Sequence, residues 1–219
     1  MRGNYIGHVE QVTDDLVEMT HFVGSAMREA SAALLEADLE LAQHVIESDA
    51  RVDVLASGVE EKTFDIIASK HPEGPELRAL LGAMRMASSL ERMGDLAQHV
   101  AKQARMRHPR PAVPAELRDV FMQMGNLAEE IVRRTGEVIA TRDLSLGGDI
   151  ARHDAEMDRL HRQLFSTVLA PTWELGVEAA IDVTLLSRYY ERYADHAVSI
   201  TRRVVTIVTG EAYVGVTLD

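Results

Sequence analysis

Apolar residues recur at three- and four-residue spacing along most of the chain, which is the period of an amphipathic helix. One stretch with this spacing runs from Leu80 to Val100 and another runs from Leu185 to Val204. Five of the six prolines lie within 72–75 and 109–114, and proline ends or kinks a helix. The pattern predicts an all-α protein with six long helices, at about residues 5–36, 39–70, 74–106, 115–141, 149–169 and 174–209.

Short sequence words return at fixed offsets. Asp-Leu-Glu-Leu at 38–41 returns as Asp-Leu-Ser-Leu at 143–146, an offset of 105 residues. Glu-Arg-Met-Gly-Asp at 91–95 returns as Glu-Arg-Tyr-Ala-Asp at 191–195, an offset of 100 residues. The change of offset predicts a loop shortened by five residues between the second and third helices of the second half.

The duplication predicts a tandem pair of antiparallel three-helix bundles packed side by side, because each unit must bury an apolar face. The predicted divisions are a first repeat, a Pro-rich linker, a second repeat and a C-terminal tail, at 1–107, 108–114, 115–212 and 213–219.

Composition excludes several classes of protein. The chain has 219 residues, 35 acidic against 23 basic side chains and a formal net charge of −12. This charge opposes phosphate backbones, so a nucleic-acid partner is not expected. Cysteine is absent, which rules out disulfides and thiolate metal or redox sites. With 46% apolar residues, the chain has enough material for a sizeable core.

Nothing in the sequence predicts a membrane span or a secretory leader. No run of about 18 apolar residues occurs, and the first residues lack the apolar segment of a signal peptide. We therefore expect a cytoplasmic protein, whose contact with a membrane is peripheral and made through partners.

The repeated word Glu-Arg-x-x-Asp places two carboxylates four residues apart in each half. Glu91 and Asp95 share one helix face, as do Glu191 and Asp195. The apolar stripe of each helix centres roughly opposite, so both pairs are predicted to be exposed and outside the helix-packing seam. Two interpretations stay open: a solvated charged face, or a metal site with the hard oxygen ligands that divalent and trivalent cations prefer.

A second repeated pair lies on the predicted middle helices, which must pack beside the third helices. Asp49 and Asp53 return as Asp154 and Asp158 at the 105-residue offset. These carboxylates either complete each acidic site or only cover the surface. His99 and His196 are further candidate ligands, although they are not repeat-equivalent.

Catalytic motifs are missing from the sequence. A ferritin-like di-iron site needs Glu-x-x-His twice, and the chain offers only Asp158 before His161. No Gly-rich phosphate loop, G-x-S-x-G or H-E-x-x-H occurs. The sequence therefore predicts no enzyme, with a carboxylate-bridged metalloenzyme as a remote alternative. A basic run from Lys102 to Arg110 is interpreted as favourable charge at a helix C-terminus, with an acidic partner surface as the alternative.

The two Glu-Arg-x-x-Asp words, each closing a three-helix unit of about 100 residues, resemble the PhoU family of bacterial phosphate-signalling regulators. The stretches 87–97 and 186–197, with Thr-Gly-Glu at 209–211, are similar to the two family signatures. The resemblance covers about 5–212 and is strongest to the actinobacterial branch. The chain departs from the family at Glu76, where aspartate is usual, and at His99 and Ser199, where asparagine is usual.

The resemblance implies a regulatory adaptor and negative regulator of phosphate-starvation signalling. The alternative function is a helical interaction module that binds no metal and has no signalling role. The resemblance implies contact with the ATPase subunit of a phosphate ABC transporter and with a membrane sensor histidine kinase, and we also expect a homodimer. It implies metal clusters, of which iron, zinc, manganese and magnesium are all candidates. Candidate ligands are Glu91, Asp95, Glu191, Asp195, Asp49, Asp53, Asp154, Asp158 and His99.

Overall fold

The computed structural model describes the backbone of residues 2–211 and the side chains of residues 7 and 9–211. Within 2–211 the chain forms helices and no strands. The predicted tail at 213–219 lies outside the described residues. The seven α-helices are α1 (Arg2–Glu36), α2 (Leu39–Ser48), α3 (Ala50–Lys70), α4 (Pro75–Arg107), α5 (Arg118–Thr141), α6 (Gly147–Val168) and α7 (Gly176–Thr209), with short 3-10 turns at Ala115–Leu117 and Leu144–Leu146.

The predicted helix at 39–70 is divided at Asp49, so one predicted helix is two. Asp49 keeps right-handed helical angles (φ −57°, ψ −39°), and its carbonyl accepts a short-range hydrogen bond from the Val52 amide at 2.9 Å. The chain therefore makes one tighter helical turn between α2 and α3, and no loop separates the two helices.

The predicted short loop in the second half is wrong. Helix α6 ends at Val168, whereas the 105-residue offset from Lys70 would extend it to position 175. The connection at 169–175 is longer than its equivalent at 71–74. The second repeat has lost helix length and not loop length, because the chain turns near Pro171, which disfavours a continued helix.

Equivalent side chains begin the middle segment of each repeat. Asp38 accepts a hydrogen bond from the Leu41 amide at 2.9 Å, and Asp143 accepts one from the Ser145 amide at 2.9 Å. Such aspartates satisfy amides that have no partner within the helix. The repeated word at 38–41 and 143–146 is therefore a repeated helix start.

The all-α tandem arrangement is confirmed, with the long helices α1, α4, α5 and α7 at its centre. Helix α1 packs on α4 and α5, and α7 packs on α4, α5 and α6. Helices α2 and α3 flank α4 and α1 on one side, and α6 flanks α7 and α5 on the other. The two repeats thus share one continuous core, as expected for helix pairs that each leave an apolar face.

Most apolar residues of the two stretches with helical spacing face the core, although Leu81 and Leu185 are more than 40% exposed. Leu90, Met93 and Ala97 on α4 are fully buried. Their equivalents on α7 include Tyr190 and Tyr193, whose hydroxyls contact Ser31 Oγ at 2.7 Å and the carbonyl of Val23 at 3.1 Å. These hydrogen bonds join the second repeat to α1, because a buried tyrosine hydroxyl needs a partner.

The segment at 108–114 runs along the helices. Ala112 and Val113 are buried, and the His108 ring lies 3.0 Å from the Ala37 carbonyl. No helix in the described range is long and apolar enough to cross a membrane.

Candidate functional site

Each repeat places a pair of acids on its middle helix beside a pair on its third helix. We call Asp49, Asp53, Glu91 and Asp95 the first acidic cluster, and Asp154, Asp158, Glu191 and Asp195 the second acidic cluster. The four-residue spacing puts each pair on one helix face. The buried apolar residues of α4 and α7 fix how each helix is rotated about its own axis. Their carboxylates therefore lie beside the middle helix of the same repeat.

The first acidic cluster is centred on Asp49. The pKa of its carboxyl is raised by burial and then by the negative charges of Asp53 and Asp95, while Lys102 and His99 oppose the rise. A Cβ added at Gly94 would lie 3.2 Å from Asp49 Oδ1. The absence of a side chain at Gly94 therefore lets α3 approach α4 closely.

The acids of this cluster on α4 are half-buried, and one of them is already paired. Asp95 accepts a hydrogen bond from Arg92 Nη1 at 2.9 Å. A cleft of about 380 Å³, lined by Asp53, Ser88, Arg85 and Glu91 among others, runs beside the cluster. Its volume falls within the range of small-ligand sites.

His99 lies at the edge of the first acidic cluster and reaches the second repeat. Its Nδ1 is 2.7 Å from the backbone carbonyl of Asp95, and its ring stacks on Tyr189 with centroids 5.3 Å apart. Because a carbonyl only accepts hydrogen bonds, this contact requires a proton on Nδ1 and leaves the Nε2 lone pair available in the neutral ring. Such a contact to a carbonyl also orients histidines that bind metals.

The second acidic cluster is more strongly perturbed. Burial, followed by the charges of Asp158 and Asp195, raises the pKa of Asp154 to about 6, against the opposing charge of Arg202. The pKa of Asp195 is also raised, first by burial and then by Asp158. These carboxylates repel one another, and positive charge placed between them would relieve that repulsion.

Glu191 was predicted to be exposed, and that prediction is wrong. Its side chain is only 12% exposed and pairs with Arg188 through Oε1. Within residues 2–211, Oε2 of Glu191 is buried and has no hydrogen-bond partner. Burial is the main reason why the pKa of Glu191 is raised. Sequence periodicity placed Glu191 correctly on the face away from the stripe but did not show how far α6 covers that face.

The donor types fit a hard cation, but the rotamers do not form a finished site. Carboxylate oxygens suit magnesium, manganese and iron, and a histidine nitrogen suits zinc or iron. Among the described residues, no three or more acidic or histidine side chains converge as the ligands of one ion would. Binding at either cluster would therefore need side-chain rotation, for which the unpartnered Oε2 of Glu191 is the clearest starting point.

The basic run supplies the last turn of α4 with Arg105 and Arg107, as its interpretation as charge at a helix C-terminus predicts. The pKa of His196 is lowered by burial and then by Arg192, so positive charge adjoins that ring. The basic run is not one patch: Arg105 donates to Gln43 Oε1 at 3.0 Å, and Arg107 donates through Nε to Asp182 Oδ2 at 2.6 Å.

Sequence reasoning missed the network around Asp182. This carboxylate is 5% exposed and is held by Arg107 Nε and Nη2 and by Gln103 Nε2, the last at 2.6 Å. The bond to Arg107 is also the main reason why the pKa of that guanidinium is raised. The sequence signal was an acidic residue at a helix position where the spacing predicts an apolar one. Its partners could not be identified from the sequence, because they lie about 75 to 79 residues away.

Comparisons with known proteins agree with this architecture. The PhoU domain family matches residues 16–104 and 121–204, one segment in each repeat. The chain is 43% identical to the phosphate-specific transport system accessory protein PhoU homolog 2 of Mycobacterium tuberculosis, over 96% of this chain and 99% of that protein. It is 42% identical to PhoU homolog 1 of Mycobacterium leprae, over 96% of this chain and 95% of that protein.

Solved structures show the same fold. The crystal structure of PhoU from Pseudomonas aeruginosa superposes with a TM-score of 0.82 at 25% identity, over 94% of this chain and 100% of that one. The phosphate transport system regulatory protein PhoU from Streptococcus pneumoniae has a TM-score of 0.85 at 22% identity, over 95% of this chain and 98% of that one. The second likeness concerns the fold alone.

Proposed function

The chain belongs to the PhoU family, and from that premise we propose that it is an adaptor that negatively regulates phosphate-starvation signalling. In this proposal it contacts the ATPase subunit of a phosphate ABC transporter and a membrane sensor histidine kinase from the cytoplasmic side, as a homodimer. The observation that carries the proposal is the 43% identity, over nearly the full length of both chains, to a protein named as an accessory of a phosphate-specific transport system.

The regulatory role is tested by deleting the gene and measuring transcripts of phosphate-uptake genes in phosphate-rich medium. We expect these genes to be switched on in the deletion strain and repressed again when the intact gene is restored. Unchanged transcript levels would contradict the role as a negative regulator.

The partners are tested by affinity purification of the tagged full-length protein from phosphate-replete cells. Recovery of the transporter ATPase and a histidine kinase is the expected result. If neither is enriched over an untagged strain after crosslinking, the proposed linkage is wrong, even if the transcript experiment succeeds.

The acidic clusters are proposed to bind metal cations. This part of the proposal is supported by the raised pKa of Asp49 in the first cluster and by the raised pKa values of Asp154, Glu191 and Asp195 in the second. The unpartnered Oε2 of Glu191 also supports it. A bound cation would supply positive charge that offsets carboxylate repulsion. The residues that would hold it are the two acids on each middle helix and the two on each third helix, with His99 in addition at the first cluster.

Elemental analysis of purified protein tests this binding with matched pairs. The variants Glu91→Ala/Asp95→Ala and Glu191→Ala/Asp195→Ala each remove one third-helix pair. The control Glu61→Ala/Asp65→Ala removes an acid pair of the same types and spacing from the exposed face of α3. We expect the control to keep the wild-type metal content and each cluster variant to lose part of it. Equal metal content in all four proteins would overturn metal binding and leave the adaptor proposal intact.

A further inference from the structure

An arginine-rich cavity lies between the first half of α4 and the last half of α7. It has a volume of about 700 Å³ and is open to solvent. Arg78 and Arg85 line it from α4, and Arg202 and Arg203 line it from α7, while Leu81 and Ile207 provide apolar wall. Among the described residues that line the cavity, none is acidic. Four arginines in one cavity are unexpected in a chain with a net charge of −12.

The duplication supplies an internal reference for this cavity at the opposite end of the α4–α7 pair. There, Arg107 is bound by Asp182 and Glu178. At the 100-residue offset, Asp182 corresponds to Gly82 and Glu178 corresponds to Arg78. One end therefore balances its arginine internally, whereas the other has glycine and a further arginine where those acids would be.

Gly82 also keeps the cavity open. A Cβ built at Gly82 would lie 2.6 Å from Cδ1 of Ile207, so any side chain here would displace the apolar wall. The equivalent of Ile207 in the first repeat is Arg107, which fills the other end. The Gly82 end therefore has both space and arginine side chains, with no acidic residue among the described residues that line it.

Arg203 carries a donor that the protein itself does not satisfy. Within residues 2–211, its Nε is buried and has no hydrogen-bond partner. Burial, and then the neighbouring charge of Arg85, lowers the pKa of this guanidinium. A buried donor without a partner is costly, and an anion held by the guanidinium of Arg203, which lines the cavity, would offset part of that cost.

We propose that this cavity binds a small organic phosphate of about nucleotide size. Guanidinium groups recognise phosphate oxygens through paired, charge-assisted hydrogen bonds. The apolar side chains of Leu77, Leu81 and Ile207 provide contact for the non-phosphate part of the ligand. The volume suits a nucleotide-sized ligand and exceeds what orthophosphate alone would fill. This binding goes beyond the adaptor role and does not depend on metal at the acidic clusters.

Calorimetric titration of the full-length protein, without added divalent cations, tests the proposal with ATP, AMP, adenosine, pyrophosphate and orthophosphate. We expect ATP to bind, adenosine not to bind, and orthophosphate to bind at least about tenfold more weakly than ATP, because it lacks the apolar contacts. Equal affinity for orthophosphate and ATP would overturn the organic part of the proposal. Equal affinity for adenosine would overturn the role of the phosphates.

Variants locate the site. Arg78→Gln and Arg203→Gln are each expected to weaken ATP binding about tenfold or more, since each removes a charge-assisted contact. Arg105→Gln is the control, because Arg105 is exposed and bonded to Gln43. ATP affinity unchanged in Arg78→Gln and Arg203→Gln, or reduced equally in Arg105→Gln, would overturn the site.

Gly82→Asp is the sharpest variant, because it copies Asp182 into the cavity and is expected to abolish ATP binding. Its circular dichroism and Tm show whether it is folded, and Arg78→Gln decides the question if it is not. Glu91→Ala/Asp95→Ala separates this proposal from the metal proposal: it should retain ATP binding. Loss of ATP binding in that variant would place the ligand at a metal site and overturn the cavity.

Discussion

Helices α4 and α7 occupy equivalent places in the two repeats, yet α7 has buried polar side chains at positions where α4 has apolar residues or glycine. Leu90 and Met93 on α4 correspond to Tyr190 and Tyr193, which hydrogen-bond to α1. Gly82 on α4 corresponds to Asp182, which holds Arg107. Two repeats can therefore keep the same helix packing while the polar side chains at equivalent positions differ.

The acidic clusters also differ between the repeats, in the residues that surround their carboxylates. Glu191 is paired with Arg188, whereas the equivalent of Arg188 in the first repeat is Ser88. Ala194 is fully buried where the first repeat has Gly94. The pKa values of the second cluster are the more strongly raised, so effects of substitution should be larger there.

The largest effect is expected from Asp182→Ala. The change leaves Arg107 without its buried partner and Gln103 without its acceptor, and loss of one partner of a buried ion pair is strongly destabilising. We expect Tm to fall by on the order of 5–10 °C, measured by differential scanning calorimetry. Glu178→Ala, which removes the mostly exposed acid, is the control and should have little effect. Equal Tm values for the two variants would contradict the structural role of Asp182.

A smaller loss is expected from Tyr190→Phe. It removes the hydroxyl that contacts Ser31 Oγ inside the core, although Ser31 keeps its bond to the Met27 carbonyl at 2.7 Å. The free energy of unfolding should fall by about 1 kcal/mol, measured by urea denaturation. Leu90→Met is a matched core control at the equivalent position, because a swap of similar volume should cost less than about 1.5 kcal/mol. No change in Tyr190→Phe would mean that this hydrogen bond does not tie the second repeat to α1.

Asp154→Asn is expected to stabilise the protein. The folded-state pKa of Asp154 is raised to about 6, so above that pH the folded protein holds a charged carboxylate that is less stable there than in the unfolded chain. The variant should gain on the order of 1 kcal/mol at pH 7. The gain should shrink as pH falls from about 6 toward 4, because the wild-type carboxyl then binds its proton in the folded state.

Asp49→Asn is the matched variant in the first repeat and should gain less at pH 7. Urea denaturation at several pH values, in the presence of a chelator, measures both gains. A larger gain for Asp49→Asn would reverse the order of perturbation that the structure assigns to the two clusters.

The smallest effect is expected from Gly94→Ala, which copies Ala194 into the first repeat. The new Cβ would lie 3.2 Å from Asp49 Oδ1, so Asp49 must move by a few tenths of an ångström, while alanine favours the helix. The two effects should nearly cancel, leaving a change within about 0.5 kcal/mol. Gly58→Ala, where a Cβ meets nothing within 4 Å, should stabilise by about 0.5–1 kcal/mol. A gain at Gly94 as large as at Gly58 would show that the close approach to Asp49 imposes no constraint.

Much of the fold was predictable from the sequence because helix formation and the repeat are local properties. The spacing of apolar residues identified the buried faces, including Leu90, Met93 and Ala97, and the repeated words identified equivalent helices. The end of α6 at Val168 was predicted to within one residue, because Pro171 follows it. The division at Asp49 was not predicted, because no proline or glycine marks that position.

The candidate site was predictable only in part. The sequence determined that each repeat carries two acid pairs and that the pair on each third helix lies on the face away from the apolar stripe. Only the tertiary structure decided that α6 covers Glu191, that Asp182 meets Arg107 about 75 residues away, and that Gly82 leaves a cavity between arginines of two helices. Periodicity fixes the direction of a side chain relative to its own helix axis. The burial of a side chain and the charges around it depend on which helix packs opposite, and that helix is distant in sequence.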